Sequence, residues 1–134
     1  MRVFFDTNVL VSAFTARGLS ADVFRLALLE HDLLTGEFNL QELDRVLTRR
    51  LRAPTEVVSD ALDLLREQTV VPLPSAPSEI EIRDVDDRWV LASAVDGDAD
   101  VLVTGDRNLL ILGDDAPIRI VTPRGFWELV RRGG

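Results

Sequence analysis

Short, wholly apolar runs alternate along this chain with stretches of helical hydrophobic spacing, and that alternation limits the folds open to it. Val3-Phe4-Phe5, Leu33-Leu34-Thr35, Thr69-Val70-Val71, Asp100 to Thr104 and Ile118 to Val121 read as five strands. Runs that stay apolar, instead of alternating with polar residues, belong to strands covered on both faces, as in a parallel sheet. Between them the spacing predicts helices. These are Val9 to Phe14, Ala21 to Glu30 behind a Ser20 cap, Asn39 to Leu51, and a fourth from Pro54 or Thr55 with Val58, Leu62 and Leu65 buried. A fifth opens at Asp84 to Asp87, Asp106 to Leu112 forms a short turn, and Thr122-Pro123 launches the last helix. Strand and helix in alternation dictate an α/β sandwich with a mainly parallel sheet. At 134 residues the chain is read as a single domain, residues 1–134. The proline-rich stretch from Pro72 to Ser78 is then an internal loop, because too little chain follows it for a second domain.

Composition excludes several chemistries. A hydrophobic share of 46% supplies a core without a disulfide or a structural metal. There is no cysteine, so thiol catalysis and zinc–thiolate sites are out, and a reducing cytoplasm is the expected location. Asp6 and Asn8 break the first apolar run too early for a signal peptide, and no run approaches the ~20 apolar residues of a membrane span. The net charge is −8, every basic residue is Arg, and a nucleic-acid binder is ordinarily basic. The two observations agree if acids are gathered at a metal site, and an acidic surface also suits a basic protein partner.

Four acids fall in topologically related places. Ligands of open α/β sheets gather beyond the carboxyl ends of the strands. Asp6 directly follows the first strand, and Asp106 follows the fourth through Thr104-Gly105. Glu42 and Asp87 lie in first turns of helices. Each also has a purely structural reading. Glu42 has capping-box spacing from Asn39, Asp87 from Asp84, Asp106 can be an N-cap, and Asp6 can close an Asx-turn. Gathered together, four carboxylates repel and raise one another's pKa values, a conflict that a divalent cation removes. Oxygen-only ligands suit Mg²⁺ or Mn²⁺, and the chemistry that follows is phosphodiester hydrolysis. The one histidine, His31, stands near a helix end and is read as a cap or surface group.

At these positions the chain resembles the PIN-domain family, in particular the bacterial toxins of that type. Asp6-Thr7-Asn8-Val9-Leu10 resembles its first motif and Glu42-Leu43 with Val46-Leu47 its second. Asp84 to Asp87 followed by Val90-Leu91-Ala92 resembles the third, and Val103-Thr104-Gly105-Asp106 with Asn108-Leu109-Leu110 the fourth. The resemblance implies a three-layer sandwich around a five-stranded parallel sheet, and a Mg²⁺ or Mn²⁺ site in an endoribonuclease that cleaves single-stranded or structured RNA. It further implies homodimers and an inhibitory antitoxin. Matched residue by residue, it gives Asp6, Glu42, Asp87 and Asp106 the metal-binding, catalytic roles. Asn8 and Thr104 would orient ligands or water around the metal, with Asn108 standing where some members carry a further acid. Asp84 and Asp86 are alternatives to Asp87. Arg45 and Arg49, three and seven residues after Glu42, share its helical face and are candidates for RNA phosphates; the competing reading is that Arg49, Arg50 and Arg52 complement the helix end and stay solvated. Trp89 and Trp127 are read as packing residues.

Three other functions meet specific obstacles. A dehalogenase-like phosphatase needs a second Asp two residues after the first, where Asn8 stands, and a Lys. A receiver-type signalling module also needs a Lys, and there is none. A PIN-fold binding module without activity would have no need to keep all four acids.

Overall fold

The computed structural model describes residues 1–133. Five strands, β1 (Arg2–Phe5), β2 (Asp32–Gly36), β3 (Thr69–Val71), β4 (Val101–Val103) and β5 (Arg119–Val121), form one sheet in the order β3-β2-β1-β4-β5. All neighbours pair in parallel, with Phe4 opposite both Leu34 and Leu102. Side chains alternate between faces along a strand, so the apolar runs feed two cores. Val3, Phe5, Leu33, Val101 and Val103 enter one core, beneath α1 (Thr7–Thr15), α2 (Leu19–Glu30), α3 (Glu37–Arg45) and α4 (Thr55–Arg66). Phe4, Leu34, Val71 and Leu102 enter the other, beneath α5 (Val85–Asp96) and α6 (Arg107–Leu110). The last helix, α7 (Pro123–Arg131), returns to the first face through the buried Phe126. This is the three-layer α/β sandwich with a five-stranded sheet. No helix among the described residues is long and apolar enough to cross a membrane.

The chain order explains where a site can form. From β1 the chain winds outward to β2 and β3, then crosses back to place β4 on the other side of β1. The switch point therefore lies between β1 and β4, and a crevice opens beyond their carboxyl ends. Phe5 pairs with Val103, and the Asp6 N–H donates to the Val103 carbonyl at 3.0 Å, so Asp6 and Thr104 emerge side by side.

Three helix starts differ from the sequence reading, and the first is α1, which opens at Thr7 under the Asp6 cap instead of at Val9. α2 begins at Leu19 under Gly18, whose φ of 139° is open to glycine, and Ser20 lies inside the helix. α3 begins at Glu37 under Gly36, so Asn39 is an interior residue, not a cap. A Cβ on Gly36 would meet Asn39 Oδ1 at 2.9 Å and Ser93 Cβ at 3.2 Å, and glycine is what lets β2, α3 and α5 approach so closely. The end of α3 departs further: Val46–Arg50 is a π-helix, with the Leu51 N–H donating to the Val46 carbonyl at 3.0 Å. Thr122 caps α7 through its hydroxyl with Pro123 at the first turn, as the sequence predicts, and His31 closes α2.

Candidate metal centre

Asp6 is 4% exposed and caps α1 from the end of β1. Its Oδ1 accepts from the Thr7 N–H at 2.7 Å and from Asn39 Nδ2 at 3.2 Å. Its Oδ2 accepts from Thr104 Oγ1 at 2.7 Å and from Asn8 Nδ2 at 3.2 Å. Burial nevertheless raises its pKa, opposed by the Thr104 hydroxyl and the Thr7 N–H, with the Asp106 charge adding to the rise.

Glu42 reaches the same place from α3. Thr7 Oγ1 donates to its Oε1 at 2.8 Å, which makes Thr7 the bridge between the Asp6 turn and Glu42. Burial raises the Glu42 pKa, opposed by that hydroxyl; the charges of Asp6 and Asp86 raise it further and Arg45 lowers it. Asp106 caps α6, accepting from the Asn108 N–H at 2.9 Å, while its own N–H donates to Thr104 Oγ1 at 3.0 Å. Asn8 completes the rim by accepting from the Gly105 N–H at 2.9 Å.

Asp87 is 5% exposed and lies in the first turn of α5. Burial, then a hydrogen bond shared with the Asp106 carboxyl, then the charges of Asp106, Asp6 and Asp84 push its pKa up to about 7. Its Oδ2 is buried without a partner. An orphaned buried carboxylate oxygen costs free energy and calls for a ligand the protein does not supply. Asp84 is the exposed N-cap of α5 and acts on Asp87 through its charge, and Asp86 is exposed beside Glu42.

The structure thus brings Asp6, Glu42, Asp87 and Asp106 to one edge of the sheet. It does not close them into a cage: among the described residues no three His, Cys, Asp or Glu side chains stand ready around a common point. Asp6, Glu42 and Asp106 each accept hydrogen bonds from donors of the protein itself. The donor set still fits a hard dication, because it is all oxygen, mutually repelling and includes the orphaned Asp87 oxygen.

Asn39 and Arg50 are features the sequence reading missed. Asn39 is fully buried and its Nδ2 donates to both Asp6 Oδ1 and, at 3.0 Å, Thr7 Oγ1. Asn39→Ala removes a donor shared by two buried acceptors, an expected cost of about 1–3 kcal/mol in denaturant unfolding; an unchanged midpoint would show the contacts to be idle. Arg50, not Arg49, lines the cleft of about 330 Å³ beside Asp6, Thr7, Glu42 and Asp106. Neither Trp89 nor Trp127 lines it.

An all-parallel α/β sandwich with acids assembled at its switch point defines a carboxylate-cleft domain. The family model for the PIN domain matches residues 2–108, and the chain belongs to that family. Among curated proteins none matches it in sequence. Solved structures share the fold at low identity. VapBC2 from Rickettsia felis, bound to a DNA fragment from its promoter, has a TM-score of 0.63 at 15% identity, covering 90% of this chain and 97% of that one. FitAB bound to the IR36 DNA fragment has a TM-score of 0.68 at 13% identity, covering 90% and 94%. VapC20 of Mycobacterium tuberculosis, a toxin that cleaves the sarcin-ricin loop, has a TM-score of 0.60 at 14% identity, covering 83% and 95%.

Proposed function

We propose that this chain is a Mg²⁺- or Mn²⁺-dependent endoribonuclease and the toxin of a toxin–antitoxin pair. The observation that carries the reading is the convergence of Asp6, Glu42, Asp87 and Asp106 at the switch point, with one buried oxygen of Asp87 left unpartnered. Membership of the PIN-domain family supports nuclease chemistry, and the likeness to VapC20 supports RNA as the substrate. The likeness to VapBC2 and FitAB, which are antitoxin–toxin complexes, supports an inhibitory protein partner. A homodimer working in the cytoplasm completes the reading.

The four acids would hold the cation. When bound, it would polarise a phosphoryl oxygen and lower the pKa of a coordinated water. The protein's own groups set the conditions for this. Thr104, Asn8 and Asn39 fix the Asp6 carboxylate through both oxygens, and Thr7 ties Glu42 to the same turn. Asn8 and Thr104 also accept from the Gly105 and Asp106 N–H groups, which ties the two strand ends together. The experiment is incubation of the purified protein with a mixed RNA pool in Mn²⁺, Mg²⁺ or EDTA, followed by mapping of the ends. Internal cuts that require the divalent ion are expected; equal cleavage in EDTA would reject the reading.

A further inference from the structure

We infer that the π-helical turn at Val46–Arg50 builds a seat for one unpaired nucleotide of an RNA strand beside the acids, with Arg50 holding a phosphate and Val11, Val46 and Leu51 receiving the base. This rests on the nuclease reading above and names how that site takes its substrate.

The argument begins with register. In an α-helix, seven residues make two turns to within about 20°, so Arg49 would lie over Glu42. The π-turn inserts one residue, and eight residues now span the arc that seven would. Arg50 moves into the cleft and Arg49 turns away. The same rotation acts on Leu51. Leu43 and Leu47 are fully buried, and α-helical spacing would carry Leu51 back into that core. Instead it is 49% exposed and lines the cleft with Val11 and Val46.

An apolar wall beside a group of carboxylates is costly to keep in water, and its composition specifies an occupant. At about 330 Å³ the cleft stands at the small end of ligand sites, ~300–1,000 Å³. It takes one nucleotide, not a stacked pair. Arg50 is the one cationic side chain lining it among the described residues, opposite Asp6, Glu42 and Asp106. A group with a phosphate at one end and an apolar face at the other matches that polarity; a splayed base of a single strand offers such a face, whereas a base inside a duplex does not. Val11, Val46 and Leu51 offer a base an apolar face, and the polar Thr7 and Asn8 of the same cleft are bonded to the acids.

The test measures binding apart from cleavage. In an Asp106→Asn background with Mg²⁺, fluorescence anisotropy with a labelled single-stranded RNA octamer compares Arg50→Ala, Leu51→Ser and Arg49→Ala. Loss of about tenfold in affinity is expected for Arg50→Ala, with the salt slope reduced by about one. Leu51→Ser should cost about fivefold, through lost apolar contact. Arg49→Ala should stay within about twofold, and a blunt RNA duplex of the same length, used as a second probe, should bind weakly in every variant. In the unblocked enzyme, Arg50→Ala should raise KM with little change in kcat. Absence of cleavage by the parent enzyme would overturn the nuclease reading while the binding arm still judges the seat. Equal losses at Arg49 and Arg50, or RNA affinity untouched by both Arg50→Ala and Leu51→Ser, would overturn the seat and leave the wall to a protein partner.

Discussion

Asp106→Asn is expected to reduce RNA cleavage by ~10³-fold or more while leaving the metal-free protein at least as stable as its parent. Two roles meet in this carboxylate, and the substitution separates them. As the N-cap of α6 it accepts from the Asn108 N–H at 2.9 Å, and an Asn oxygen can do the same. As a charge it lies within hydrogen-bonding reach of Asp87 and raises the pKa of both Asp87 and Asp6. Replacing the charge and keeping the cap therefore relieves repulsion without unpicking the helix. Asp106→Ala is the companion variant: it loses the cap as well, at about 1 kcal/mol. The readouts are single-turnover cleavage in Mn²⁺ and thermal melts in EDTA. Were Asp106 only a cap, Asn would be silent in both assays and Ala would lower the melt alone. Near-parental cleavage by Asp106→Asn would remove the basis for the acid cleft.

What the sequence disclosed of this site follows from burial. Strands covered on both faces leave uninterrupted apolar runs, so Val3-Phe4-Phe5 and Val101-Leu102-Val103 were legible, and with them the carboxylates just past their ends. Asp6 and Asp106 needed nothing more than strand order to be placed together. Thr7 and Asn39 needed contacts between distant segments. Asn39 stands three residues before Glu42, the spacing of a capping box, and a local pattern cannot reveal that the helix starts two residues earlier, at Glu37 under Gly36. Its amide then points inward to Asp6 instead of along its own backbone. Arg50 was hidden for another reason. Nothing in Val46-Leu47-Thr48-Arg49-Arg50 announces an extra residue in the turn, and α-helical counting selects Arg49. The arginine expected to share the Glu42 face at shorter range, Arg45, does lower the Glu42 pKa. Counting along a helix is dependable until the hydrogen-bond pattern changes, and there it fails by one residue.

The stability of the protein is expected to fall as pH rises from about 4 to about 7 when no divalent ion is present, and to recover when one is added. In the folded state the Asp87 carboxyl is pushed up to about 7, chiefly by burial and then by Asp106. In the unfolded chain it titrates near its ordinary value of 3.8. Between those two values the folded state holds a proton that the unfolded state has released. Stability is therefore fully present below the unfolded value and is lost as pH climbs through the folded one. Asp6 and Glu42 are raised as well and act in the same sense, whereas the half-buried Glu37, lowered by Arg66, acts weakly in the opposite one. At about 1.4 kcal/mol per pKa unit, the Asp87–Asp106 pair gives a decline on the order of 2–4 kcal/mol across the window. A dication competes with that proton for the same oxygens. Its stabilisation should be small at pH 5 and large at pH 8, reaching about 2.7 kcal/mol at a hundredfold excess over its Kd. Urea unfolding of the parent and of Asp87→Asn, each at pH 5 and 8 with EDTA or Mn²⁺, separates the contributions. Asp87→Asn should flatten most of the metal-free slope and remove most of the Mn²⁺ stabilisation at pH 8. A parent protein equally stable at both pH values in EDTA would mean that Asp87 carries its charge without strain, and that the orphaned oxygen is not poised for a cation.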